Sequence, residues 1–219
     1  MNLNPEKKSV VRVVTLGALA AAAVWATQSF AFRMIQNTTV GRVSAGSAVT
    51  CTASGGFTHW NIRNISWFHN TANQGSGKAS ALQAAMSSWT SVASADHVLT
   101  YAGTTTAGFV TDNRNTVRWA NGSGCTGSCL ALTALVLQSG QVIVETDITF
   151  NNQVTWTTSG AQYDTQSVAA HEFGHTLGIH HTELTSSPTP TMNAFYFGSG
   201  GRSLEADDRS ALQCAESRY

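Results

Sequence analysis

Residues 171 to 181 read His-Glu-Phe-Gly-His-Thr-Leu-Gly-Ile-His-His. His171 and His175 stand four apart, so on an α-helix both imidazoles leave one face and can grip a single metal ion. Glu172 lies beside the first, placed to reach a metal-bound water without itself ligating. Gly178 can end the helix in a left-handed conformation, after which the chain turns and carries His181 back as a third ligand. Three neutral imidazoles leave the fourth position of a tetrahedral zinc open to water, which marks catalytic rather than structural sites. On this chain's own composition the full pattern would arise by chance about twice in 100,000 sequences. A helix that merely displays surface histidines is the weaker reading.

The elements that must hold these residues follow from periodicity. A helix is expected from Asp164 or Thr165, as N-cap, to Leu177, with Gly178 as its stop. Upstream, Leu82, Ala85, Met86, Trp89, Val92 and Ala93 fall on one face of a helix spanning Lys78–Ala95. Short β-type runs lie at Asn64–His69, Val98–Tyr101, Thr116–Ala120, Leu130–Leu137, Gln141–Val144 and Asp147–Phe150, separated by Gly, Asn and Ser turns. A loop with Pro188 and Pro190 leads to a last helix near Ser203–Glu216. That order predicts a mixed α/β (α+β) domain over 57–219 with its strands in one sheet. Residues 32–56 are polar and rich in Gly, Ser and Thr, and are expected to form a loosely packed N-terminal arm.

Composition narrows the class. The 219 residues carry 12 Lys+Arg against 12 Asp+Glu, and only 11% are charged, too few and too balanced for a nucleic-acid binder. Lys7, Lys8 and Arg12 precede an apolar run of about 14 residues, and Ser29-Phe30-Ala31 offers a small-x-small exit. This is the layout of a secretory signal peptide over residues 1–31. The alternative, a membrane anchor, would need roughly 20 apolar residues. Secretion, to the extracellular space or a periplasm, with no stable membrane association after cleavage, is the expectation. In an oxidising compartment the four cysteines read as two disulfides. Of the three possible connectivities, Cys125–Cys129 across a Gly/Ser-rich loop is favoured, which leaves Cys51 with Cys214.

The extended His pattern resembles that of the metzincin zinc endopeptidases, and most nearly the matrixins and their secreted bacterial relatives. Thr182 follows the third His, where matrixins usually have Ser. Met192 resembles the Met-turn beneath the zinc, and Tyr196 matches an aromatic in the wall of the specificity pocket. Residues 204–213, with Asp207 and Asp208, resemble the closing helix, and Ala85–Trp89 resembles the first long one. His180 misses the family spacing by one residue and is read as flanking the site. The resemblance implies one twisted, mostly parallel sheet with two long helices and a C-terminal helix. It also implies a monomer acting on protein or peptide substrates. Zinc would polarise the scissile carbonyl and acidify its bound water, and Glu172 would take the proton as general base and pass it to the departing amine. The substrate would lie extended along an edge strand, for which Leu130–Leu135 is the candidate, a core strand being the equal alternative for that run.

Departures from the family carry expectations of their own. Thr149 and Leu132 stand where matrixins have two histidines of a second, structural zinc, and Asn151-Asn152 replaces an acidic calcium-binding run. One catalytic zinc is therefore expected, and Ca2+ has no support in the sequence. Two other readings compete: a non-catalytic secreted binding module on the same fold, which would be expected to lose Glu172 or a His, and a metzincin outside the matrixins. Astacin-like and serralysin-like chains usually place Tyr two residues after the Met, where this chain has Ala194.

Overall fold

The computed structural model describes residues 31–122, 124–184 and 187–218. The signal segment therefore lies outside the described residues but for Ala31. Three short strands open the chain: β1 (Met34–Gln36), β2 (Gly41–Val43) and β3 (Ser47–Val49). Strand β4 (Asn64–Asn70) crosses through helix α1 (Ala79–Thr90) to β5 (Val98–Thr105), and β6 (Asn115–Ala120), β7 (Ala131–Gln138) and β8 (Val142–Asn151) follow. Helix α2 (Thr165–Thr176) and, after a long loop, α3 (Ala206–Glu216) complete the set. Among the described residues the main sheet has six strands in the order β2-β7-β8-β6-β4-β5. The β8–β6, β6–β4 and β4–β5 pairs are parallel, while β7 runs antiparallel to both β8 and β2. This is the mixed, mostly parallel sheet expected of a metzincin.

Both long helices cover one face of the sheet. The buried residues of α1 are Ala81, Leu82, Ala85, Met86 and Trp89, one stripe at helical spacing. The helix stops at Thr90, short of the expected Ala95, and the Thr90 hydroxyl accepts from the Leu99 N–H of β5 at 3.1 Å. Helix α2 packs beside it: the Trp89 indole donates to the Ala170 carbonyl at 2.8 Å, and Phe173 meets Trp67 edge-on at 5.0 Å.

The opposite face of the sheet is polar and explains a strand read in two pieces. Val142–Val144 and Asp147–Phe150 belong to the single strand β8, with Gln141 left in the turn before it, because the polar residues between and beside them are buried and paired rather than turning. Glu145 and Asp147, two apart on one face, both meet Arg42 of β2, at 3.4 and 2.5 Å. Thr149 continues that face and accepts from Arg118 Nε at 2.9 Å. Burial raises the Asp147 carboxyl to about 6, against the opposing pull of Arg42 and the Thr116 N–H.

The arm is better packed than its composition suggests. Met34 and Ile35 are buried, and Ile35 donates to the Gly178 carbonyl at 2.8 Å while its own carbonyl accepts from Thr58 at 2.7 Å. β1 pairs with β3, and the tip of that hairpin carries β2 onto the edge of the main sheet. The structure joins Cys51 to Cys214 of α3 and Cys125 to Cys129. No helix among the described residues is long and apolar enough to cross a membrane.

Candidate metal centre

Helix α2 starts and stops where its sequence dictates. Asp164 is the N-cap: its carboxylate accepts from the Ser167 N–H at 2.9 Å and from the Gly160 N–H at 3.0 Å. It also binds Arg202 through two nitrogens, at 2.9 and 2.5 Å. Burial pushes this carboxyl up, but Arg202 and the two N–H donors outweigh that and hold it below the usual carboxylate range. At the other end Gly178 takes φ of +83°, and a side chain there would run into the Thr58 backbone.

Replacing Asp164 with alanine is expected to cost about 2–3 kcal/mol, since it removes a cap and leaves Arg202 without its buried partner. A carboxyl with a depressed folded pKa stabilises above its unfolded value near 4 and loses that contribution as pH falls through the folded value. The stability gap between the two proteins in urea titrations should therefore close below about pH 4. A gap that persists unchanged at pH 2 would contradict this account.

Three imidazoles converge at the cleft floor. Nε2 of His181 lies 3.2 Å from Nε2 of His175 and 3.2 Å from Nε2 of His171. Among the described residues these three are the one cluster whose ligand atoms all lie within 4.8 Å of one another. His171 Nδ1 donates to the Thr191 carbonyl and His175 Nδ1 to the Ile179 carbonyl, both at 2.8 Å. Each of those rings thus turns a bare Nε2 lone pair inward. Burial, followed by the neighbouring histidines, lowers His171 to about 4 and His175 well below its ordinary value, so both are neutral at pH 7. Tetrahedral zinc with Zn–N distances of about 2.05 Å needs nitrogens roughly 3.3 Å apart, which the two 3.2 Å separations match. His180 lines the cleft but does not join the cluster.

The floor and walls come from distant segments. Met192 is buried beneath α2, and a Cβ on Gly174 would collide with its sulfur and with Trp89, so glycine is needed there. Asp208 of α3 accepts from the Thr191 N–H at 2.8 Å and the Met192 N–H at 3.0 Å, pinning the turn that supplies the His171 partner. Asp207 accepts from the Thr182 hydroxyl at 2.6 Å and from the backbone of Ala31 and Phe32. Tyr196 lines the cleft, and its hydroxyl accepts from the Asp164 N–H at 2.9 Å.

Glu172 is buried and shares the cleft, of about 610 Å³, with the three histidines. Its Oε2 accepts from the Thr133 hydroxyl at 2.6 Å. Burial lifts Glu172 to about 7, opposed by that bond. Nothing in the sequence singles out Thr133: one Thr in the run Leu-Ala-Leu-Thr-Ala-Leu is the only signal, and it does not say which carboxylate the hydroxyl meets. The second metal site of the family has other occupants. Leu132 and Thr149 face each other across β7 and β8, and Asn151 donates to the Cys129 carbonyl at 2.8 Å.

A helix that presents converging imidazoles beside an antiparallel strand whose outer edge β2 covers only in part defines a metzincin-type metallopeptidase fold. The sequence profile of the matrixins matches residues 59–215, and the chain belongs to that family. Stromelysin-3 of Rattus norvegicus is 41% identical over 69 residues, which are 32% of this chain and 13% of that protein. Interstitial collagenase of Equus caballus is 38% identical over 68 residues, covering 31% and 14%. Neutrophil collagenase of Homo sapiens is 38% identical over 84 residues, covering 37% and 17%. The chain thus spans under a fifth of the length of these relatives.

Proposed function

We propose that this chain is a secreted zinc-dependent endopeptidase in which His171, His175 and His181 hold the metal and Glu172 is the general base. The observation that carries the reading is the convergence of three Nε2 atoms, two of them fixed by Nδ1–H bonds to carbonyls, in one cleft with a buried carboxylate. Zinc held there would supply Lewis acidity toward a peptide carbonyl and toward water. Glu172, steadied by Thr133, takes a proton from the attacking water and delivers it to the amine that leaves. Of the candidate run Leu130–Leu135, Leu135 is covered by Val43 of β2, and the outer edge of β7 over Ala131–Ala134 binds the substrate backbone as an added strand, while Tyr196 walls the pocket for a side chain. The relatives' names, collagenase among them, support a protein substrate. Secretion is supported by the N-terminal layout and by two disulfides, and a chain retained uncleaved inside the cell would contradict it.

Metal analysis of the purified protein is the test. About one zinc per chain is expected, with peptide cleavage abolished by a chelator and restored by added zinc. His175→Ala should retain far less metal through the same purification. A protein that binds no zinc, or cleaves equally well without it, would sink the reading.

A further inference from the structure

We propose that the β1–β3 hairpin closes the substrate edge of β7 on one side, so that the cleft registers about three residues N-terminal to the scissile bond and no more. The inference rests on the peptidase reading above and adds a limit on substrate form. β2 pairs with β7 through Gly41↔Leu137, Arg42↔Val136 and Val43↔Leu135, and stops there. The chain then turns through Ser44, Ala45 and Gly46, all three of which line the cleft. β2 therefore occupies the same edge that a substrate must use, and the uncovered stretch of that outer edge begins at Ala134.

The length left over can be counted. Thr133 holds Glu172 at 2.6 Å and so lies level with the reacting carboxylate. Between that level and Val43 the edge offers only Thr133 and Ala134, about 7 Å at 3.4 Å per residue, enough to register two or three substrate residues. β2 also shows the polarity this edge accepts, since it runs antiparallel to β7. A peptide continuing the same edge in the same direction has its N-terminal side toward Leu135, where β2 ends. Toward the C-terminal side, no strand among the described residues pairs with the outer edge of Ala131–Ala134, whose inner edge is held by β8, and the cleft continues past Leu130 between Cys129 and Asn193–Tyr196.

The hairpin is anchored well enough to act as a wall. Arg42 binds the buried Asp147 at 2.5 Å and lies 4.3 Å over the Phe109 ring. Asn37 donates to the Ala45 carbonyl at 2.5 Å, and a Cβ on Gly46 would meet Ile35 at 2.6 Å, so the turn is packed against its own base. A longer substrate can still be cut, but beyond the third residue it must leave the sheet edge and gains nothing from pairing.

The test is a peptide series around one cleavable bond, extended from one to six residues on each side, read as kcat/KM of the zinc-loaded protein. On the N-terminal side kcat/KM should rise to about the third residue and then stay level within about threefold. On the C-terminal side it should rise through at least the third. A rise beyond threefold past the third N-terminal residue, or a C-terminal series that levels off first, overturns the proposal. A companion protein replaces residues 37–46 with Asn-Gly, since the Gln36↔Ser47 register suits a two-residue turn, and carries Asp147→Asn. If it folds, its N-terminal gains should extend past the third residue, and an unmoved plateau overturns the proposal. If it does not fold, the wild-type series decides. Failure to cleave any peptide would instead defeat the peptidase reading itself.

Discussion

Substituting glutamine for Glu172 is expected to lower kcat by about 10²–10⁴-fold while fold and zinc content stay unchanged. Glutamine has the same shape and can still accept from the Thr133 hydroxyl, so it removes the proton acceptor and little else. The side chain is buried, and burial is what lifts its carboxyl toward 7, the range in which a base both accepts and releases a proton readily. A dication held by the adjacent histidines would pull that value down, so the two influences oppose each other. Thr133→Val gives the comparison: it removes one hydrogen bond to the carboxylate but keeps the acceptor, and should cost roughly tenfold. Steady-state kinetics on a single peptide, with metal content measured in parallel, reads both. Activity of Glu172→Gln within threefold of wild type would remove Glu172 from the mechanism.

The second large effect concerns stability. Cys51 and Cys214 are 163 residues apart in sequence, against 4 for Cys125 and Cys129. Chain-entropy arguments assign about 5 kcal/mol to closing the long loop and about 2 kcal/mol to the short one, before any enthalpic correction. The protein with both Cys51 and Cys214 changed to Ala should therefore unfold roughly 10 °C lower, and the corresponding Cys125/Cys129 variant much less. The loss also has a functional side. The long bridge fastens the arm to α3, and the arm in turn supports the Gly178–His181 loop through Ile35 and through the Arg33 carbonyl, which accepts from His180. Zinc affinity should weaken with the long bridge and not with the short one. Equal shifts for the two variants, or no shift under oxidising conditions, would contradict this assignment.

What could be read from sequence was local. Asp164, the His171–His175 spacing and Gly178 act within a few turns of one another, so N-cap, ligand face and helix end all follow from a stretch of 15 residues. The stripe on α1 is local in the same sense. Features with partners far along the chain were not readable. Arg42 looks like an ordinary charge in a polar arm until β8 brings Glu145 and Asp147 to it, and for the same reason Glu145 and Thr146 read as a break between strands. Thr133 has no meaning without α2 above it. Met192 was visible through family resemblance, but the contact that makes Gly174 obligatory was not.

The pinning of residues 191 and 192 by Asp208 bears on how the site comes into being. A nascent chain carries all three histidines and Glu172 well before α3 has been made. The ligands can therefore meet before the turn beneath them is held, and before Asp207 ties Thr182 and the arm to the same helix. Order of synthesis places the floor of the site last, so a chain interrupted ahead of α3 has the histidines and Glu172 but not their foundation.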